Sequence, residues 1–252
     1  KKISESIKNI KFNEIKWDNK KSRVKIIDDK LDKIYFQKII SNSVLDKNNR
    51  RNLKIVYSSL HGTGIKSIPP LLNEAGYKDI NLVENQCFID ENFSNTNSSN
   101  PEDKSAFEQT IILADKINGE IIITTDPDAD RLGVGVRDFN KNWVLLNGNQ
   151  LMVLLFSFLI ERKKFKNEDF FVSTTLVSSP LFEKIAEKNK IECKVCHTGF
   201  KWIADIIEKE KKKKFLCGGE ESFGFLYGNE VRDKDAAVTS LLFCDMFSFL
   251  KS

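Results

Sequence analysis

From Leu53 onward, short runs of β-forming residues alternate with stretches whose apolar residues recur at helical spacing. No other feature restricts the fold as strongly. Strands that alternate with helices pair into parallel or mixed sheets, and the helices cover them. Residues 53–60 read as a strand that ends in His61-Gly62-Thr63-Gly64. Ile65, Ile68, Leu71, Leu72 and Ala75 then share a helical face that closes at Gly76. Residues 80–83 read as a short strand. A helix opening at Pro101 carries Phe107, Ile111, Ala114 and Ile117 and stops at Asn118-Gly119. Residues 120–125 are the clearest buried strand, followed by short strands at 132–136 and 143–146. A second unit begins near Asn147-Gly148. It has a helix at 151–160, strands at 170–177, 191–196 and 214–217, intervening helices through Phe182 and Ile203, and a final helix from Asp235.

The expected fold class is therefore α/β: two consecutive α/β domains with mixed sheets covered by helices, at residues 31–146 and 147–252. Residues 1–30 read as the tail of a preceding domain and a linker, with Ile3, Ile7 and Ile10 at helical spacing before a polar stretch. At 252 residues and 40% hydrophobic, the chain is long enough for two cores. A net charge of +4 is too mild to imply a nucleic-acid partner. The longest apolar run, 151–160, is half of what a bilayer requires, so no membrane span is expected. The chain opens with Lys1 and Lys2, without Met or an apolar leader. It is expected to be a piece of a longer cytoplasmic protein without a signal peptide. The five cysteines suit a reducing compartment. Cys193-Lys194-Val195-Cys196 has no second such pair, and it reads as buried strand cysteines ahead of zinc or redox chemistry.

The chemistry concentrates in Thr124-Thr125-Asp126-Pro127-Asp128-Ala129-Asp130-Arg131. It directly follows the buried strand, where α/β folds bind their ligands. Asp126, Asp128 and Asp130 at i, i+2 and i+4 crowd three carboxylates together, and a hard divalent cation relieves their repulsion. Mg2+ is the expected cofactor. Arg131 beside them suits a phosphate oxygen. An EF-hand shares the acidic spacing but needs Gly sixth and Glu twelfth, where this chain has Arg131 and Arg137. A haloacid-dehalogenase-type phosphatase uses an Asp pair, without a third Asp in this place. A second segment, Gly218-Gly219-Glu220-Glu221-Ser222-Phe223-Gly224, lets backbone approach a ligand. Glu220 and Ser222, read as extended chain, face the same way and can bond adjacent hydroxyls. A third, Thr198-Gly199-Phe200-Lys201-Trp202, sits at a strand-to-helix junction where Lys201 can meet phosphate. His61 reads as structural.

Taken together, these segments resemble the α-D-phosphohexomutase superfamily, the phosphoglucomutases and phosphomannomutases. The resemblance covers roughly residues 31–252. Asp126 to Arg131 looks like the metal loop, 198–202 like the specificity segment, and 219–224 like the sugar-binding loop. Arg232-Asp233-Lys234-Asp235 and Asn100-Pro101-Glu102 stand at the family's distances. The resemblance implies a phosphoglucomutase fragment corresponding to domains two and three of four. The parent would interconvert glucose 1-phosphate and glucose 6-phosphate through a bisphosphorylated intermediate. Asp126, Asp128 and Asp130 would hold Mg2+, and Arg131 would serve catalysis. Glu220, Ser222, Lys201, Thr198 and Gly199 would bind the phosphorylated sugar. The serine loop of the first domain and the phosphate loop of the fourth are missing, so the fragment alone is expected to be inactive. Ser99, in Ser98-Ser99-Asn100-Pro101, echoes the serine loop but precedes the metal strand and is not assigned as phosphoserine. A mannose or pentose phosphate mutase, or a non-enzymatic phosphosugar-binding module, are the alternatives.

Overall fold

The computed structural model describes residues 2–15, 27, 29–162 and 169–251. Most of the polar stretch expected as a linker, residues 16–26 and 28, lies outside the described residues. The chain divides into two compact units, residues 1–34 and 35–252. The first contains helix α1 (Lys2–Asn9), on which Ile3 and Ile7 are exposed. Helix α2 (Asp29–Ser41) follows, with Phe36 and Ile39 buried.

The larger unit holds two sheets. Strands β1 (Ile55–Ser58), β2 (Ile80–Leu82), β3 (Ile121–Thr125), β4 (Leu132–Arg137) and β5 (Trp143–Leu146) form a five-stranded sheet in the order β2-β1-β3-β4-β5. The pairs of β1 with β2 and β3 are parallel, and β3-β4-β5 is antiparallel. Helices α3 (Ile68–Ala75) and α4 (Glu108–Ile117) make the connections. After α5 (Gly148–Arg162), strands β6 (Phe170–Thr175), β7 (Glu192–Cys196), β8 (Lys214–Gly219) and β9 (Phe225–Tyr227) form a four-stranded sheet, order β7-β6-β8-β9. Its last pair is antiparallel and the others are parallel. Helices α6 (Pro180–Lys188), α7 (Phe200–Lys209) and α8 (Ala236–Leu250) complete it. Both sheets are mixed and flanked by helices.

The local chemistry explains most boundaries. Gly76 stops α3 in a left-handed conformation that costs glycine little. Asn118, also left-handed, stops α4. Ser179 caps α6 with Pro180 at the first turn, and Asp235 caps α8 through the Ala237 and Val238 N–H groups. The helix expected from Pro101 begins later. Asp103 accepts the Ser105 N–H, the first turn at Lys104–Phe107 is a tight 3-10 turn, and only Glu108 starts the α-helix.

One apolar core runs through both sheets, joining Tyr57, Leu71, Ile123 and Val134 to Leu155, Phe156, Leu216, Leu241 and Phe243. Helix α8 is buried nearly all round. A helix apolar on every face needs partners on every side, and helices α3 and α5 with strands β4 and β9 supply them. Smaller clusters lie beneath α4 and α7 on the outer faces. No helix among the described residues is long and apolar enough to cross a membrane. Cys193 and Cys196 are half-buried free thiols on β7, an edge strand.

Candidate active site

Strand β3 is buried along its whole length and delivers the chain into the acidic loop at Asp126. The loop is closed by its own backbone. The Ala129 N–H donates to the Asp126 carbonyl, and Ala129 takes a left-handed φ of 58°. Asp126 Oδ1 accepts the N–H groups of Asp130 at 3.1 Å and Arg131 at 2.9 Å. Ligand atoms of Asp126, Asp128 and Asp130 all lie within 4.8 Å of one another, ranging from buried to exposed. Burial pushes the Asp126 carboxyl up to about 7, with the charges of Asp130 and Asp128 adding to the rise and the Arg131 N–H opposing it. A cation bound beside the carboxyl would favour its charged form. Three carboxylates are hard oxygen donors of the kind that suit Mg2+.

Two cations lean on the cluster. Arg131 Nη1 donates to Glu102 Oε1 at 2.8 Å, and its Nε lies 3.7 Å from Asp126 and 3.8 Å from Asp130. Lys234 Nζ is 2.8 Å from Asp130 Oδ2. Behind the loop stands His61-Gly62-Thr63-Gly64. The Thr63 N–H donates to the Pro127 carbonyl at 2.8 Å. A Cβ on Gly62 would fall 2.4 Å from Pro127 Cα, and one on Gly64 would fall 2.5 Å from Thr125 Oγ1. Glycine is needed at both places for space. His61 is buried, with Nδ1 3.2 Å from the Phe88 carbonyl and Nε2 accepting the Asn95 N–H at 3.2 Å. It holds the 88–95 segment and does not reach the carboxylates by hydrogen bond.

The other glycine-containing segment meets the acidic loop directly. Arg131 and Gly224 form an antiparallel bridge, and the Leu132 N–H donates to the Phe223 carbonyl at 3.2 Å. The Ala236 N–H donates to the Ala129 carbonyl at 3.2 Å. Glu220 follows β8 and is buried, while Ser222 is half-buried on a turn that closes at a left-handed Phe223. The extended-chain reading of Glu220 and Ser222 therefore fails: the chain reverses between β8 and β9, and strand alternation does not set their directions. Glu220 Oε1 accepts the Gly199 N–H at 2.8 Å, which ties the third segment to the second. Burial raises the Glu220 carboxyl, and the Gly199 N–H, Lys234 and Arg131 pull the other way. Gly199, at a positive φ of 111°, caps α7. Thr198 is exposed beside it, and Lys201 is exposed with its Nζ over the Trp202 ring at 5.4 Å.

Asp126, Asp128, Asp130, Arg131, Glu220 and Gly199 are thus brought into one bonded neighbourhood, with Ser222 on the same turn. Lys201 and Thr198 sit at its rim. Sequence reasoning gave no role to two members. Lys234 touches Asp130, and Glu102 anchors Arg131. The signal for Lys234 is its place between Asp233 and Asp235, a lysine flanked by acids.

Comparison with known proteins agrees with this architecture. A family model described as phosphoglucomutase/phosphomannomutase, alpha/beta/alpha domain II, matches residues 33–140. The corresponding domain III matches residues 147–251. The phosphomannomutase of Mycoplasmoides pirum is 40% identical over 202 residues, which cover 80% of this chain and 37% of that protein. The phosphoglucomutase of Staphylococcus aureus strain USA300 is 40% identical over 203 residues, with the same coverage. A solved phosphoglucomutase/phosphomannomutase family protein from Burkholderia thailandensis shares the fold with a TM-score of 0.67 at 19% identity, over 87% of this chain and 44% of that one. An Aspergillus fumigatus N-acetylphosphoglucosamine mutase, solved with GlcNAc-6P and magnesium, gives a TM-score of 0.59 at 14% identity, over 87% and 50%. The chain belongs to the phosphoglucomutase/phosphomannomutase family, of which it carries domains II and III. It spans just over a third of the length of the curated relatives it matches.

Proposed function

We propose that this chain is the metal-loop and sugar-loop portion of a phosphoglucomutase that interconverts glucose 1-phosphate and glucose 6-phosphate in the cytoplasm. On this reading residues 1–30 are the end of a preceding domain and a linker, 31–146 the metal-loop domain and 147–252 the sugar-binding domain. The observation that carries the proposal is the backbone bridge between Arg131 and Gly224, which joins a triple-carboxylate loop to a hydroxyl-binding turn. A phosphosugar needs both at once: charge neutralisation for the phosphoryl group and a grip on the ring.

Asp126, Asp128 and Asp130 would hold Mg2+, and the ion when bound supplies charge neutralisation to the transferring phosphoryl group. The A. fumigatus relative with its magnesium supports that choice of ion. The chain's own residues do the rest. The Asp130 and Arg131 N–H groups fix the Asp126 carboxylate. Arg131, steadied by Glu102, offers paired donors to a phosphate oxygen. Lys234 spans Asp130 and the sugar loop, and its charge lowers the cost of a second phosphate there. Glu220 and Ser222 bond sugar hydroxyls, and Gly199, Thr198 and Lys201 border the same space. The phosphoryl carrier, a phosphoserine, and a further phosphate-binding loop belong to the rest of the complete protein.

Mannose phosphate is the second reading, because a phosphomannomutase and a phosphoglucomutase match this chain at the same 40% identity. The test is to assay the complete protein against glucose 1-phosphate and mannose 1-phosphate with the 252-residue chain in parallel. Turnover of glucose 1-phosphate by the complete protein, with none by the chain alone, is the expected result. A complete protein that binds phosphosugars without converting them would make this a binding module.

A further inference from the structure

The turn that carries Glu220 and Ser222 is tied from behind by residues that none of the steps above uses. Thr175 ends β6, and Ser178 lies in the turn before α6. Both are buried. Their hydroxyl oxygens lie 2.8 Å apart. Ser178 Oγ donates to Glu221 Oε2 at 3.0 Å, Thr175 Oγ1 lies 3.3 Å from the same oxygen, and the Glu221 N–H donates back to Ser178 Oγ at 3.3 Å. Glu221 therefore turns its carboxylate into the domain, between two neighbours assigned to the sugar. The Ser179 N–H donates to Asn149 Oδ1 at 2.7 Å, which binds the same turn to the start of α5. Gly148, the first residue of α5, completes the support. A Cβ there would fall 2.1 Å from the Glu221 carbonyl oxygen and 2.6 Å from the Phe223 nitrogen, so helix and turn touch backbone to backbone.

We propose that Glu221, Ser178 and Thr175, backed by Gly148, are positioning residues that hold Glu220 and Ser222 in register for the hydroxyl groups of the phosphosugar, and thereby set its KM. The proposal rests on the mutase reading above. A carboxylate that accepts from the buried Ser178 hydroxyl, itself backed by Thr175, and a backbone that fits only against glycine restrain the turn. Hydroxyl contacts remote from the transferring phosphoryl group act on the ground state and the transition state alike. Loosening them raises KM and leaves kcat nearly unchanged.

The test is steady-state kinetics of the complete protein with glucose 1-phosphate, comparing wild type, Ser178→Ala and Ser178→Thr. Ser178→Ala is expected to raise KM about fivefold to thirtyfold with kcat within about twofold. Ser178→Thr, which keeps the hydroxyl, is expected to recover most of the loss. If circular dichroism shows that Ser178→Ala fails to fold, the near-isosteric Thr175→Val takes its place, with Thr175→Ser as the conservative partner. Kinetics indistinguishable from wild type, or a fall in kcat at constant KM, overturns the proposal while the mutase reading stands. A wild-type protein without turnover overturns both.

Discussion

Asp126 answers to two demands at once. It must stay charged to bind a cation, yet burial and two neighbouring carboxylates push it up to about 7 from the ordinary 3.8. In the folded, metal-free chain it keeps a proton that the unfolded chain has lost. Its contribution to stability is therefore complete below about pH 4 and fades as pH rises through about 7. Asp126→Asn should flatten that part of the stability profile, measured by urea unfolding of the metal-free chain across the same range. Mg2+ must displace the proton, so the rise in melting temperature on adding Mg2+ should be larger at pH 8 than at pH 6. An equal rise at both values would remove Asp126 from the ligand set. Glu220 differs, because one of its oxygens is already held by Gly199. Glu220→Gln can keep that bond and lose only the charge. In the complete protein it should lower kcat/KM by one to two orders of magnitude, about 1.5–3 kcal/mol for a charged hydrogen bond. Unchanged kinetics in a folded variant would return 219–224 to an ordinary polar turn.

At the scale of elements, each loop at the site is backed by a glycine that leaves no room for a side chain. Gly62→Ala would drive a methyl into the Pro127 backbone. Overpacking of this kind costs about 1–3 kcal/mol, and here the strain falls on the acidic loop. Calorimetry of Mg2+ binding should show Gly62→Ala weakened well beyond its loss of stability, and equal binding would dismiss the bracing role. Much of this level was legible in the sequence. Strand β3 announced itself through Ile121-Ile122-Ile123, and the acidic loop through its i, i+2, i+4 spacing. What was not legible depended on partners distant in sequence. Glycine spacing alone does not reveal that Gly148 presses on Glu221 or that Gly62 presses on Pro127. The turn at 220–224 reads as extended in the sequence, because nothing in the residue type of Phe223 signals its left-handed φ of 65°. Nothing adjacent in the sequence distinguishes Glu221, because the hydroxyls that hold it, Ser178 and Thr175, lie 43 and 46 residues upstream.

At the scale of the molecule, the two sheets share one core, and a buried ion pair fastens it. Arg50 precedes β1, and Asp245 lies in α8; their side chains are 2% and 0% exposed. Arg50 Nε donates to Asp245 Oδ1 at 2.8 Å, Nη1 to the Ala75 carbonyl at 2.6 Å and Nη2 to Ser43 Oγ at 2.6 Å. Tyr77 donates to Asp245 Oδ1 at 2.8 Å, and Ser43 also bonds Asp245. Removing one partner strands a buried charge, so Arg50→Ala should cost about 3–5 kcal/mol in urea unfolding. A loss below about 1 kcal/mol would mean the pair is solvated. The sequence carried one hint, a lone charged residue in the mostly apolar helix at 236–250. The pair holds together the halves that supply the two loops, and the site exists only where they meet. Soaking crystals of the 252-residue chain in Mn2+, a cation for the same oxygen ligands, and mapping its anomalous scattering would locate the ion directly. A single strong peak bonded to the carboxylates of Asp126, Asp128 and Asp130, abolished by Asp128→Asn, is the result predicted. A peak elsewhere, or one at the loop that survives Asp128→Asn undiminished, would contradict it.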